Sequence, residues 1–73
     1  MAYYVKANWD DAAQVWVSDS NIPGLVIETS TLAEFEALMN QLAPEMLAAN
    51  ADIHDASVPV QFEASARRDL LVA

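Results

Sequence analysis

The sequence predicts an α+β domain with elements in the order β-β-β-α-β, and three observations carry that prediction. Asn21 to Glu28 joins turn formers to an apolar run, and Ser30-Thr31-Leu32-Ala33-Glu34 follows at once with the spacing of a capped helix start. Upstream, Tyr3 to Trp9 alternates between apolar and polar positions. Downstream, Val58 to Ala64 alternates again. A single helix set among strands in this order places one helical layer against one four-stranded sheet.

The first strand puts Tyr3, Val5, Ala7 and Trp9 on one side and Tyr4, Lys6 and Asn8 on the other. Asp10-Asp11-Ala12 is turn-like, and Val15-Trp16-Val17-Ser18 resumes aromatic and β-branched character, so the two runs form a hairpin without glycine in its turn. Directly opposed residues of an antiparallel pair share a face. Val5 and Ala7 share a face with Val15 and Val17 only if the loop has an odd number of residues. A three-residue loop sets Lys6 across from Trp16, and a five-residue loop sets Asn8 there. In both registers Trp16 joins Tyr4 on the face that the helix leaves open. A register of the other parity makes Trp16 a core residue instead.

Asp19 to Gly24 clusters turn formers, and Pro23-Gly24 fits the central positions of a type II turn, with Gly24, the only glycine, at positive φ. Leu25 to Thr29 is the third strand. Thr31 and Glu34 have capping-box spacing, in which each side chain satisfies an orphan backbone N–H, so a helix starts at Leu32. Its apolar stripe runs Leu32, Phe35, Leu38, Met39, Leu42 and Met46. Pro44 removes a helical donor and predicts a kink or restart, with the helix fading by Asn50. Ala51 to Ser57 is a polar connection. Val58 to Ala64 is then the fourth strand, and Pro59 makes it an edge. The helical crossover between parallel strands is expected to be right-handed.

One domain, residues 1–73, accounts for the whole sequence, and a chain this short buries only a thin core. A hydrophobic share of 55% is high for so small an interior and points to self-association or a partner. Three basic residues (Lys6, Arg67, Arg68) against eleven acidic ones give a formal charge of −8, which repels phosphate backbones and argues against direct nucleic-acid binding. The same field speeds encounter with a basic protein, although surplus acid also serves solubility alone. Absence of cysteine removes disulfides and thiolate metal sites. No segment approaches the roughly 20 apolar residues of a membrane span, and the start lacks a basic region followed by an apolar run. A cytoplasmic location is expected.

Few residues suggest chemistry. His54 lies between Asp52 and Asp55, a sketch of a metal site that reads better as an exposed loop, since first-row sites want three or four converging ligands. Asp10-Asp11 reads as turn chemistry, Glu34 as a cap and Glu36 as solvated helix surface, and no nucleophile–base pair or phosphate-cradling loop is present. The expectation is no enzyme, no cofactor and no metal. Tyr4, Lys6 and Trp16 are the candidate partner-binding residues, because large aromatics on an uncovered sheet face anchor protein interfaces and Lys6 can rest on an indole.

The Trp9-Asp10 hairpin leading into Val15-Trp16-Val17, the Ile22-Pro23-Gly24-Leu25 turn, and the Thr31-Leu32 helix start with Ala43-Pro44-Glu45-Met46-Leu47 and Asn50 together resemble the HicB-like antitoxin domain family, in particular its DUF1902 branch. The resemblance spans Tyr4 to Phe62. It implies a trimmed RNase H-like fold with strand order 3-2-1-4. Active RNase H-like nucleases carry a metal-binding acid in the middle of the first strand, where this chain has Val5, Lys6 and Ala7. The resemblance further implies an antitoxin-like module that masks a small basic HicA-like RNA-cleaving toxin, without room for the appended DNA-binding module of such proteins. The alternative expectation is an oligomer-forming structural domain in which Tyr4 and Trp16 meet their own copies. Metal-dependent hydrolysis through Asp52, His54 and Asp55 is a remote third.

Overall fold

Asp10 organises the first reversal of the chain. In the computed structural model, which describes residues 2–73, its Oδ1 accepts from the N–H groups of Ala12 and Ala13 at 3.1 and 3.3 Å. Its carbonyl accepts from Gln14 N–H at 2.8 Å, and Gln14 takes the left-handed conformation (φ 58°) that a glycine would otherwise supply. The reversal joins β1 (Tyr3–Asp10) to β2 (Val15–Ser20), with Asp10 paired to Val15.

That leaves Asp11 to Gln14 as a loop of even length, and the register follows from it. Trp9 lies opposite Trp16, Asn8 opposite Val17 and Ala7 opposite Ser18. Neither odd-loop register is adopted. Val15 and Val17 stand on the face of Lys6 and Asn8, while Trp16, Ser18 and Ser20 share the face of Val5 and Ala7. The serines belong on the covered side because their hydroxyls replace ladder partners there. Ser18 Oγ accepts from Ile27 N–H at 2.8 Å. Ser20 Oγ donates to the Tyr4 carbonyl at 2.7 Å and accepts from Ile22 N–H at 3.0 Å.

β3 is confined to Glu28–Thr29, shorter than the predicted Leu25 to Thr29, because the Ser18 side chain takes the Ile27 N–H where a strand-to-strand bond would form. The alternation persists through the shortened strand: Leu25, Ile27 and Thr29 are buried, and Val26 and Glu28 are exposed. Before it, Leu25 N–H donates to the Ile22 carbonyl at 3.2 Å around Pro23 and Gly24, whose φ of 82° completes the type II turn.

α1 (Leu32–Ala51) is one unbroken helix through Pro44, not a helix and a restart. Proline removes the bond to the Asn40 carbonyl, and the burial of Ala43 and Leu47 on either side holds the helix together across the gap. Phe35, Ala43 and Leu47 are its most buried side chains, and the predicted stripe from Leu32 to Met46 packs around them. Asp52 ends the helix in the left-handed conformation, and both it and Ile53 donate backbone N–H groups to the Leu47 carbonyl.

β4 (Val60–Ser65) begins immediately after Pro59 and runs parallel to β1, so the mixed sheet has the order β3-β2-β1-β4 with β4 at the edge. The fold is α+β, as the sequence predicts. The helix covers the face of Val5 and Ala7, where Phe35 meets Phe62 at 6.1 Å between ring centres. Beyond β4, residues 66–73 form an exposed arm without regular structure, and the molecule measures 54 × 19 × 16 Å.

Candidate functional site

Strand parity creates the candidate site, because every second residue of each strand points away from α1. Tyr4 and Lys6 come from β1, Val15, Val17 and Asp19 from β2, and Gln61 and Glu63 from β4. Lys6 lies in register with Asp19 on one side and Glu63 on the other. Its Nζ nevertheless sits over the Tyr4 ring, 5.4 Å from the centroid, a cation–π contact. Gln61 Nε2 donates to Glu63 Oε1 at 2.8 Å, and these two residues with Tyr4 and Lys6 line a shallow recess of about 220 Å³.

The electrostatics of this face are one-sided. Asp10, Asp19, Glu28 and Glu63 are exposed carboxylates on its strands, and Lys6 is the single cation among them. Tyr4 toward one end of it and Val15 and Val17 toward the other are half-buried and supply apolar surface, with the row of Asp19, Lys6 and Glu63 between them. Acidic side chains interspersed with half-buried apolar ones suit a protein partner of opposite charge.

Trp16 does not join this face. It packs on the helix side against Trp9, with ring centres 5.4 Å apart and planes inclined by 59°. Trp9 Nε1 donates to Asp11 Oδ1 at 3.3 Å, which ties the pair to the β1–β2 loop. The expected constellation therefore separates into Tyr4 with Lys6 on the open face and Trp16 on the covered one. The even loop is the physical reason.

The structural residues behave as follows. Pro23 and Gly24 form the turn, and Asn50 Nδ2 donates to the Pro23 carbonyl at 2.9 Å, anchoring the turn to the last turn of α1. Thr31 Oγ1 accepts from Glu34 N–H at 3.2 Å as an N-cap. Among the described residues the Glu34 carboxylate makes no return bond to Thr31, so the capping box is half formed.

Sequence reasoning missed the Asn21 side chain, which bonds to the backbone at the start of β1. Asn21 Oδ1 accepts from Tyr4 N–H and its Nδ2 donates to the Ala2 carbonyl, both at 2.8 Å, so one side chain acts as an extra strand residue beside β1. An asparagine closing a strand just before Pro-Gly was the available signal.

His54 Nε2 lies 3.0 Å from Asp52 Oδ1, with both side chains largely in solvent. Among the described residues no three histidine, aspartate or glutamate side chains converge. No helix of the described residues is long and apolar enough to cross a membrane.

Comparison with known proteins places this arrangement among relatives. The family described as "Domain of unknown function (DUF1902)" matches residues 2–73. The fold is similar to the crystal structure of hypothetical protein TTHA1013 from the extremely thermophilic bacterium Thermus thermophilus, with a TM-score of 0.70 and 36% identity over 99% of this chain and 100% of that one. No curated protein matches.

Proposed function

The chain belongs to the DUF1902 domain family, and from that premise we propose that it is a non-enzymatic protein-binding module, antitoxin-like, that masks a small basic RNA-cleaving toxin. The observation that carries the reading is the open sheet face, where Asp19 and Glu63 flank Lys6 beside Tyr4 and the carboxylates of Asp10 and Glu28 stand farther along the strands. Its acidic field steers a basic protein toward the sheet, and the half-buried Tyr4, Val15 and Val17 give the encounter apolar surface to bury. The likeness of its hairpin, Pro-Gly turn and helix start to HicB-like domains supports the same reading. The first strand, with Val5, Lys6 and Ala7 where a nuclease carries a metal-binding acid, supports masking over catalysis.

Co-expression with the product of the adjacent gene tests the proposal. Relief of toxicity and co-purification at low salt, both lost on reversing Asp19 and Glu63 to lysine, are the expected results. Failure to retain the partner or relieve toxicity contradicts it. A second reading, a self-assembling structural domain, is favoured by one observation: Leu70, Leu71 and Val72 stand 79%, 100% and 87% exposed on the arm.

A further inference from the structure

The arm carries three exposed apolar residues, and the same chain offers an apolar groove elsewhere. The groove, about 660 Å³, lies between α1 and the segment leading into β4, and Met39, Ala43, Leu47, Ile53, Val58 and Val60 supply its apolar wall. Pro44 and Asn40 also line it, and because proline has no N–H the Asn40 carbonyl lacks its usual helical donor. Asp55 and His54 line the end nearest the helix C-terminus, and the Asp52 carboxylate lies 3.0 Å from His54 Nε2.

We propose that the groove receives the arm of a second copy of this chain, with Leu70 to Val72 on the apolar wall and Arg67 and Arg68 toward Asp52 and Asp55. Charge selects this occupant. Arg67, Arg68 and Asp69 give the arm a net charge of +1, leaving −9 of the chain's total of −8 on the remainder. Two of the three basic residues thus sit beside the apolar triplet, opposite a strongly acidic body.

Length agrees as well. From Arg68 to Val72 an extended chain covers about 13 Å, and from Met39 to Ala48, the groove's span along α1, a helix rises about 13 Å.

Reach excludes the chain's own arm. Ser65 pairs with Asn8 at the far end of the sheet, whereas Val60, at the groove, pairs with Tyr3. Doubling back from Ser65 to the level of Val60 takes about 17 Å. After a two-residue turn, an extended arm brings Val72 only just level with Val60 and leaves Leu70 and Leu71 outside the groove. A neighbouring copy meets no such limit, and a reciprocal exchange closes as a two-fold dimer.

The chain has no cysteine, so engineered thiols report the contact directly. Val72→Cys and Asn40→Cys proteins, mixed under mild oxidation, are expected to give a disulfide-linked heterodimer at least fivefold above either self-linked product. Sedimentation equilibrium is expected to show a dimer for the unmodified chain and a monomer for Leu70→Asp/Val72→Asp and for Ala48→Arg. Unchanged far-UV circular dichroism of the arm variant, whose substitutions lie outside the core, is the control for folding. A monomer at all concentrations up to the millimolar range overturns the proposal. So does a dimer that survives the arm substitutions, or a link forming within one chain when both cysteines share it. The sheet-face reading stands separately, because none of these substitutions touches Tyr4 or Lys6.

Discussion

Asn50 holds Pro23 from 27 positions away: its side-chain amide donates to the Pro23 carbonyl at 2.9 Å and fills the space above Gly24. A Cβ built on Gly24 would lie 2.7 Å from Asn50 Nδ2 and 3.2 Å from Met46 Sδ. The turn that opens the third strand and the end of the helix are therefore one packed unit. Glycine is required twice over, by its φ of 82° and by this close approach.

Gly24→Ala should lower stability by about 1–3 kcal/mol, read as a shift of the urea midpoint with unchanged slope. Asn50→Ala alone should cost about 1 kcal/mol, the net worth of one hydrogen bond. Combined, the two should cost less than their sum, because removing the amide makes room for the new methyl. Strict additivity would show that the clash is not felt.

The N-cap is predicted to be asymmetric. Thr31→Ala should destabilise by about 1 kcal/mol, since its hydroxyl accepts from Glu34 N–H. Glu34→Ala, which keeps helix propensity and removes any return bond, should change stability by less than about 0.5 kcal/mol at moderate salt. Thermal denaturation of the two variants side by side distinguishes them, and equal losses would mean that the full capping box forms in solution.

Most of the fold was legible in the sequence because its signals are local. Pro23-Gly24 specifies a turn type, Thr31 a helix start, and the alternation at Tyr3 to Trp9 a half-buried strand. The face of β2 was not legible from hydrophobicity. Val15 and Val17 are the apolar choices for a core, yet Ser18 and Ser20 take the covered positions because their hydroxyls bond to Ile27, Ile22 and Tyr4. Ile22 and Ile27 lie outside the hairpin, so no pattern within it reports them. Gln14 hid the loop length by adopting a left-handed φ without being glycine. Pro44 misled in a similar way: the helix continues through it because tertiary burial on both sides outweighs one lost bond.

Ser18 consequently matters more than its size suggests. Ser18→Ala leaves the Ile27 N–H without its acceptor in a part-buried setting and should cost about 1–3 kcal/mol. Ser18→Val, favoured by strand propensity, should be no better. Equilibrium denaturation showing either substitution to be neutral would mean that water replaces the hydroxyl.

The Trp9–Trp16 pair supplies a spectroscopic signature. Two indoles 5.4 Å apart and inclined by 59° should couple and give an exciton band in circular dichroism. Trp9→Phe and Trp16→Phe should each abolish it, while Tyr4→Ala leaves it intact. Persistence of the band in Trp16→Phe would mean that the two indoles do not couple as this geometry requires.

Titration of the adjacent gene product into wild type, Tyr4→Ala and Trp16→Phe by calorimetry asks which face of the sheet docks. The open-face assignment predicts that Tyr4→Ala weakens binding tenfold or more, about 1.4 kcal/mol, whereas Trp16→Phe binds as wild type. Undiminished binding by Tyr4→Ala, or its loss in Trp16→Phe with the fold intact, would contradict it.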